Sequence, residues 1–144
     1  MPVDRVIVDA SLAIKWIVSE TGSDKAQTMR REWIQGGVLL LAPDLILLEI
    51  ANALWKKVER GMIKKDAPVF LVPIEKLVPL DLVSFRNLIP PAQKISLDFH
   101  LSVYDAIYVA AAIKYQCPLF TADQKLPDKV PPTEVEIKVL ENTK

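Results

Sequence analysis

Acidic residues break the most apolar stretches of this chain, and any fold it adopts must accommodate them. Asp9 closes the run Val6-Ile7-Val8. Glu49 splits Leu45-Ile46-Leu47-Leu48 from Ile50-Ala51. Asp105 opens Ala106-Ile107-Tyr108-Val109-Ala110-Ala111-Ala112-Ile113, and Asp123 lies just past Leu119-Phe120-Thr121. A lone carboxylate is costly to bury unless it is paired or bound to a cation. Four such placements predict a fold that gathers its acids at one point.

The apolar runs are short and alternate with segments of helical period. Strands are expected over 5–8, 38–42, 77–80, 118–121 and 135–139. Helices are expected over 11–18, 24–35 (capped by Ser23), 44–59 (capped by Asp44), 64–72, 90–100 and 103–115. Gly36 and Gly61 stand where helices end, and Pro90 and Pro91 suit a first helical turn. Residues 81–89 follow no clear pattern, and 141–144 read as a frayed tail. Short apolar strands between helices predict an α/β fold, a mainly parallel sheet with helices on both faces.

The 144 residues suit one domain spanning 1–144, and 51% hydrophobic content is ample for a core. Lys+Arg 18 balances Asp+Glu 18, so the chain has no overall basic footprint. Any nucleic-acid contact must come from a local patch or through cations held by acids. One cysteine, Cys117, excludes a disulfide framework within the chain and predicts a reducing, cytoplasmic setting. No apolar stretch reaches the ~18 residues of a membrane span. With only four glycines and no Gly-rich phosphate loop or dinucleotide fingerprint, most nucleotide-cofactor readings fall away.

In open parallel sheets, sites form beyond the carboxyl ends of strands. Asp9 and Asp123 follow strands there, while Glu49 and Asp105 sit in the first turns of helices that begin near the same edge. Clustered carboxylates resist joint ionisation, and a hard divalent cation relieves that repulsion. Mg²⁺ or Mn²⁺ suits oxygen ligands, whereas a single His and a single Cys argue against zinc. Carboxylate-held Mg²⁺ promotes phosphodiester hydrolysis, so metal-dependent cleavage of nucleic acid is the chemical expectation.

Four segments then resemble a known family. Val6-Ile7-Val8-Asp9-Ala10-Ser11, Leu48-Glu49-Ile50-Ala51-Asn52, Tyr104-Asp105-Ala106-Ile107-Tyr108-Val109-Ala110 and Thr121-Ala122-Asp123 look like the four motifs of PIN-domain ribonucleases, in order, most of all those of VapC toxins. The resemblance implies a PIN-like three-layer α/β/α sandwich and a Mg²⁺- or Mn²⁺-dependent endoribonuclease acting on RNA. It implies Asp9, Glu49, Asp105 and Asp123 as catalytic metal ligands, with Ser11, Asn52 and Thr121 supporting them. It also implies a homodimer and a VapB-type antitoxin partner. Residues 64–89 carry no motif.

Each residue has a plainer reading. Asp9 can cap a helix, Glu49 can be solvated, Asp105 can complement a helix dipole, and Asp123 can serve a turn. Ser11, Asn52 and Thr121 can form local hydrogen bonds. Leu48, Ala51, Trp55 and Val58 form an apolar stripe expected in the core. Lys56, Lys57 and Arg60 belong to the densest basic run, suited to an RNA backbone or to a solvated helix end. Cys117 is expected to be a core thiol, and Trp16, Trp33 and Trp55 core or dimer contacts. His100 is expected to be structural or solvated. The rival functions are a free-standing PIN nuclease in RNA processing and a non-catalytic RNA- or partner-binding module. A phosphoryl-accepting receiver or phosphatase is a more distant rival, weakened by Ser11 where a second Asp would stand.

Overall fold

The computed structural model describes residues 4–140. Five parallel strands form one sheet in the order β3-β2-β1-β4-β5: β1 Arg5–Val8, β2 Leu39–Pro43, β3 Asp81–Val83, β4 Leu119–Thr121 and β5 Ile137–Val139. The helices are α1 Ala10–Ile17, α2 Ser23–Gln35, α3 Leu45–Glu59, α4 Ile89–Phe99 and α5 Val103–Tyr115. α1 packs on α2 and α3, while α5 packs on α4 and along β1, β2 and β4. Crossovers between parallel strands are right-handed as a rule, which puts the two helix groups on opposite faces of the sheet in the expected α/β/α layering. Among the described residues no helix is long and apolar enough to cross a membrane.

The central strand β1 shows why its sequence is uniformly apolar. Val6, Ile7 and Val8 are wholly buried, with β2 paired on one side and β4 on the other. In α5 every residue from Ala106 to Ala112 is buried. A helix apolar all round can sit only inside the fold, and its alanines permit close approach to the sheet.

Several expectations shift, each for a local reason. The helix expected over 64–72 is a 3-10 turn, Pro68–Leu71. Ala67 and Val72 both precede prolines and both are extended, as crowding by the proline ring demands. The strand expected over 77–80 is displaced to Asp81–Val83, because Pro79 can donate no ladder hydrogen bond. Ser23 is the first residue of α2 rather than its cap, which is Gly22 at φ 88°. Asp44 precedes α3 without capping it; its carboxylate accepts from Phe85 N at 3.1 Å and ties α3 to the loop after β3. Gly61 has the left-handed φ of 72° expected of a helix end, whereas Gly36 does not, and Gly37 supplies that geometry instead. The tail expected over 141–144 lies outside the described residues.

The stripe Leu48-Ala51-Trp55-Val58 is not core. α3 buries Leu45, Ile46, Ile50 and Leu54, leaving Leu48 68% and Trp55 57% exposed. Apolar residues occupy both sides of this helix, so spacing alone could not choose the buried one. Cys117 is half-buried. Trp16 is buried with its indole N–H donated to Ala26 O, Trp33 packs edge-on against Phe120, and His100 is an exposed left-handed residue ending α4.

Candidate functional site

The chain adds strands outward from β1 through β2 to β3, then returns to lay β4 on the other side of β1. The carboxyl ends of β1 and β4 therefore flank a topological switch point, where open α/β sheets form crevices. Asp9 is the first residue after β1, and Asp123 lies two residues after β4. Glu49 is in the second turn of α3. Asp105 is in the first turn of α5, whose start is fixed by Ser102 Oγ accepting from Asp105 N at 3.1 Å.

Asp9 serves both as a helix cap and as the buried centre of the site. Its Oδ1 accepts from Leu12 N at 3.1 Å, capping α1, and from Ser11 Oγ at 2.7 Å. Its Oδ2 accepts from Thr121 Oγ1 at 2.5 Å. The two hydroxyls are themselves held, Ser11 Oγ accepting from Ala122 N and Thr121 Oγ1 from Asp123 N, each at 3.0 Å. A carboxylate offers about four acceptor positions. Three are filled, and the open one is on Oδ2.

Electrostatics joins the other acids to Asp9. Burial pushes its carboxyl up to about 6, against the pull of the Thr121, Ser11 and Leu12 hydrogen bonds, and the Asp105 charge adds to the rise. Glu49 is raised by burial and by Asp105, opposed by a hydrogen bond from Tyr108. Asp105 is raised by burial and by Asp123, opposed by Ser102 and Lys129. Asp105 is thus the hub through which all four acids interact.

The donor set is chemically suited to a hard divalent cation: oxygen only, like-charged, and short of counter-charge. It is not a finished cage, since among the described residues no three His, Cys, Asp or Glu side chains stand close enough to enclose an ion. Carboxylates that repel one another have no reason to close without a cation between them. Mg²⁺ commonly takes one or two protein carboxylates and keeps several waters, a demand this arrangement fits.

Glu49 lines two clefts, one of them about 240 Å³ and shared with Ser11, Asn52 and Lys56. The other, of about 430 Å³, is walled by Leu45, Leu48, Asn52 and Tyr104, so Asn52 borders both clefts beside Glu49. A neighbouring cleft of about 310 Å³ runs past Ser11, Asp123, Lys15, Lys56 and Arg60. Of the basic run, Lys57 is engaged: its ammonium and that of Lys15, the latter at 2.9 Å, both reach the Glu20 carboxylate. Lys56 and Arg60 are exposed and carry no ion pair among the described residues.

Sequence reasoning passed over Tyr108, whose hydroxyl donates to Glu49 Oε1 at 2.5 Å. Of the three tyrosines in α5, Tyr108 is the one set within its alanine-rich middle, one turn after Asp105, and that placement was the available signal. Sequence reasoning also passed over Glu20 and Lys15, which lie outside the four motifs.

A family model described as PIN domain matches residues 6–130. The chain is 33% identical over 129 residues to Ribonuclease VapC3 of Pyrobaculum aerophilum, covering 88% of this chain and 95% of that protein. Among solved structures it resembles VapBC2 from Rickettsia felis bound to a DNA fragment from their promoter, with TM-score 0.71, 11% identity and coverage of 95% and 99% of the two chains. A toxin–antitoxin complex from Klebsiella pneumoniae gives TM-score 0.59 at 14% identity, covering 88% and 97%. A crystal structure from Pyrobaculum aerophilum gives 0.65 at 22%, covering 92% and 88%. At these identities the structural likenesses establish the fold.

Proposed function

Since this chain belongs to the PIN-domain family, we propose that it is a Mg²⁺- or Mn²⁺-dependent endoribonuclease, the toxin half of a VapBC-type pair. The observation that carries this reading is the charge coupling of Asp9, Glu49 and Asp123 through Asp105. The 33% identity to a ribonuclease of the VapC type supports it. Residues 1–144 as one PIN-like domain, and a cytoplasmic setting, belong to the same proposal.

Hydrolysis of a phosphodiester needs an oriented water, neutralised phosphate charge and room for the backbone. A divalent cation bound among the carboxylates would supply the charge neutralisation and acidify the attacking water. Asp9, immobilised by Ser11 and Thr121, offers its open Oδ2 position without rearrangement. Asp105 and Asp123 bring the remaining carboxylate charge. Glu49, with raised proton affinity and one oxygen not engaged by Tyr108, is suited to orient and deprotonate water. Lys56 and Arg60, facing the cleft beside Asp123, are suited to grip flanking phosphates, and Lys57 adds to their field from its ion pair with Glu20.

A VapB-type antitoxin is supported by the likeness to VapBC2 and to the Klebsiella complex. A homodimer is supported by the exposed apolar side chains of Leu48, Trp55 and Tyr104 beside the site.

The test is cleavage of single-stranded RNA by the purified protein with Mg²⁺ or Mn²⁺, its suppression by chelator, and its loss in Asp9→Asn and Asp105→Asn. Undiminished cleavage in both variants would remove the acids from the mechanism. Cleavage that no protein encoded beside this chain suppresses would favour a free-standing RNA-processing nuclease. Failure to bind Mn²⁺ at all would favour a non-catalytic binding module.

A further inference from the structure

Glu49 is held much more lightly than Asp9. The Asp9 carboxylate accepts three hydrogen bonds and caps a helix. Glu49 is on an open helix face between Leu48, 68% exposed, and two clefts. A glutamate there has three rotatable bonds. The Tyr108 hydroxyl is the single hydrogen-bond partner seen for its side chain among the described residues.

Tyr108 itself cannot move. It is 2% exposed, embedded in the fully buried stretch of α5 one turn beyond Asp105. Its ring is fixed by packing, so the position of its hydroxyl is set by the core rather than by Glu49. In this geometry the phenol O–H donates to Glu49 Oε1.

We propose that Tyr108 is the positioning residue of the acidic centre: its hydroxyl fixes Glu49 through Oε1 and reserves Oε2 for a divalent cation or its water. This rests on the nuclease reading above. It assigns Tyr108 no contact with substrate; it acts through Glu49, as partners of metal-binding side chains generally do. The competing account is that Tyr108 is a core residue whose phenol merely finds a polar partner when buried.

The Tyr108→Phe variant separates the two accounts, because it removes one oxygen and keeps the ring. Mn²⁺ titrated calorimetrically into wild type, Tyr108→Phe, Glu49→Gln and the double variant is the measurement, with thermal unfolding of each without metal. We expect Kd for Mn²⁺ to rise about 10- to 100-fold in Tyr108→Phe with near-native Tm, and Tyr108→Phe to add nothing further in the Glu49→Gln background. In RNA cleavage kcat should fall with KM unchanged. A Kd within twofold of wild type in folded Tyr108→Phe would overturn the assignment while leaving the nuclease reading intact. So would an equal loss on adding Tyr108→Phe to Glu49→Gln. Absence of Mn²⁺ binding by the wild type would overturn both.

Discussion

Thr121 Oγ1 donates a hydrogen bond to Asp9 Oδ2 across 112 residues of chain. It joins the carboxyl ends of β1 and β4 at the switch point, inside a fully buried environment. Thr121→Val keeps the shape but leaves the Asp123 N–H without its acceptor and Asp9 Oδ2 without its donor. We expect a loss of about 1–3 kcal/mol, read as a lower urea midpoint at unchanged m-value.

The metal-free protein should become more stable as pH falls from 7 towards 4. Burial raises the Asp9 carboxyl in the fold to about 6, well above the usual carboxylate range. The folded state then binds more protons than the unfolded one across that window, and stability declines as pH rises through it. Asp9 alone accounts for up to about 3 kcal/mol, and Glu49 and Asp105 act in the same direction. Chemical denaturation at pH 5 and pH 7 measures this, and Asp9→Asn should flatten most of it. A stability that instead rises from pH 5 to 7 would contradict the buried, charge-crowded site.

Asp9→Asn and Asp105→Asn should fold without metal, within about 1 kcal/mol of wild type or better at pH 7, because each removes a like charge from a crowded site. Thermal unfolding in chelator checks this. A large drop in Tm would mean that the carboxylates hold the structure itself.

Lys56→Gln and Arg60→Gln should weaken RNA binding without altering the fold. Each lost phosphate contact lowers the slope of log affinity against log salt by about 0.7 for a single strand. Glu20→Gln should do the reverse, since it releases Lys15 and Lys57 from their shared carboxylate. Binding to the non-cleaving Asp105→Asn background, followed over a salt series, reads both effects.

Leu48→Glu or Trp55→Ala should shift any dimer towards monomer while leaving the monomer folded, because both side chains are largely exposed. Sedimentation as a function of concentration shows the result. An unchanged dimer would place the interface elsewhere.

Much of this architecture was legible in the chain. The strand β1 and helix α5 were readable because each is buried all round, so nearly every residue had to be apolar. Asp9, Glu49, Asp105 and Asp123 stood out for the opposite reason, being charges where burial is costly. Elements near proline were misread where periodicity was trusted over the backbone. Pro68 and Pro73 broke the helix expected over 64–72, and Pro79 moved β3. The buried side of α3 was misassigned because both sides are apolar.

The sequence by itself determined an α/β chain with acids at strand ends and helix starts, since local chemistry sets both patterns. Only the tertiary structure decided that Thr121 and Ser11 hold Asp9, that Tyr108 holds Glu49, and that Glu20 occupies Lys57 while Lys56 and Arg60 carry no ion pair among the described residues. Those links span 37 to 112 residues, apart from the Ser11 contact. They depend on strand order and helix rotation, which no local pattern in the chain encodes.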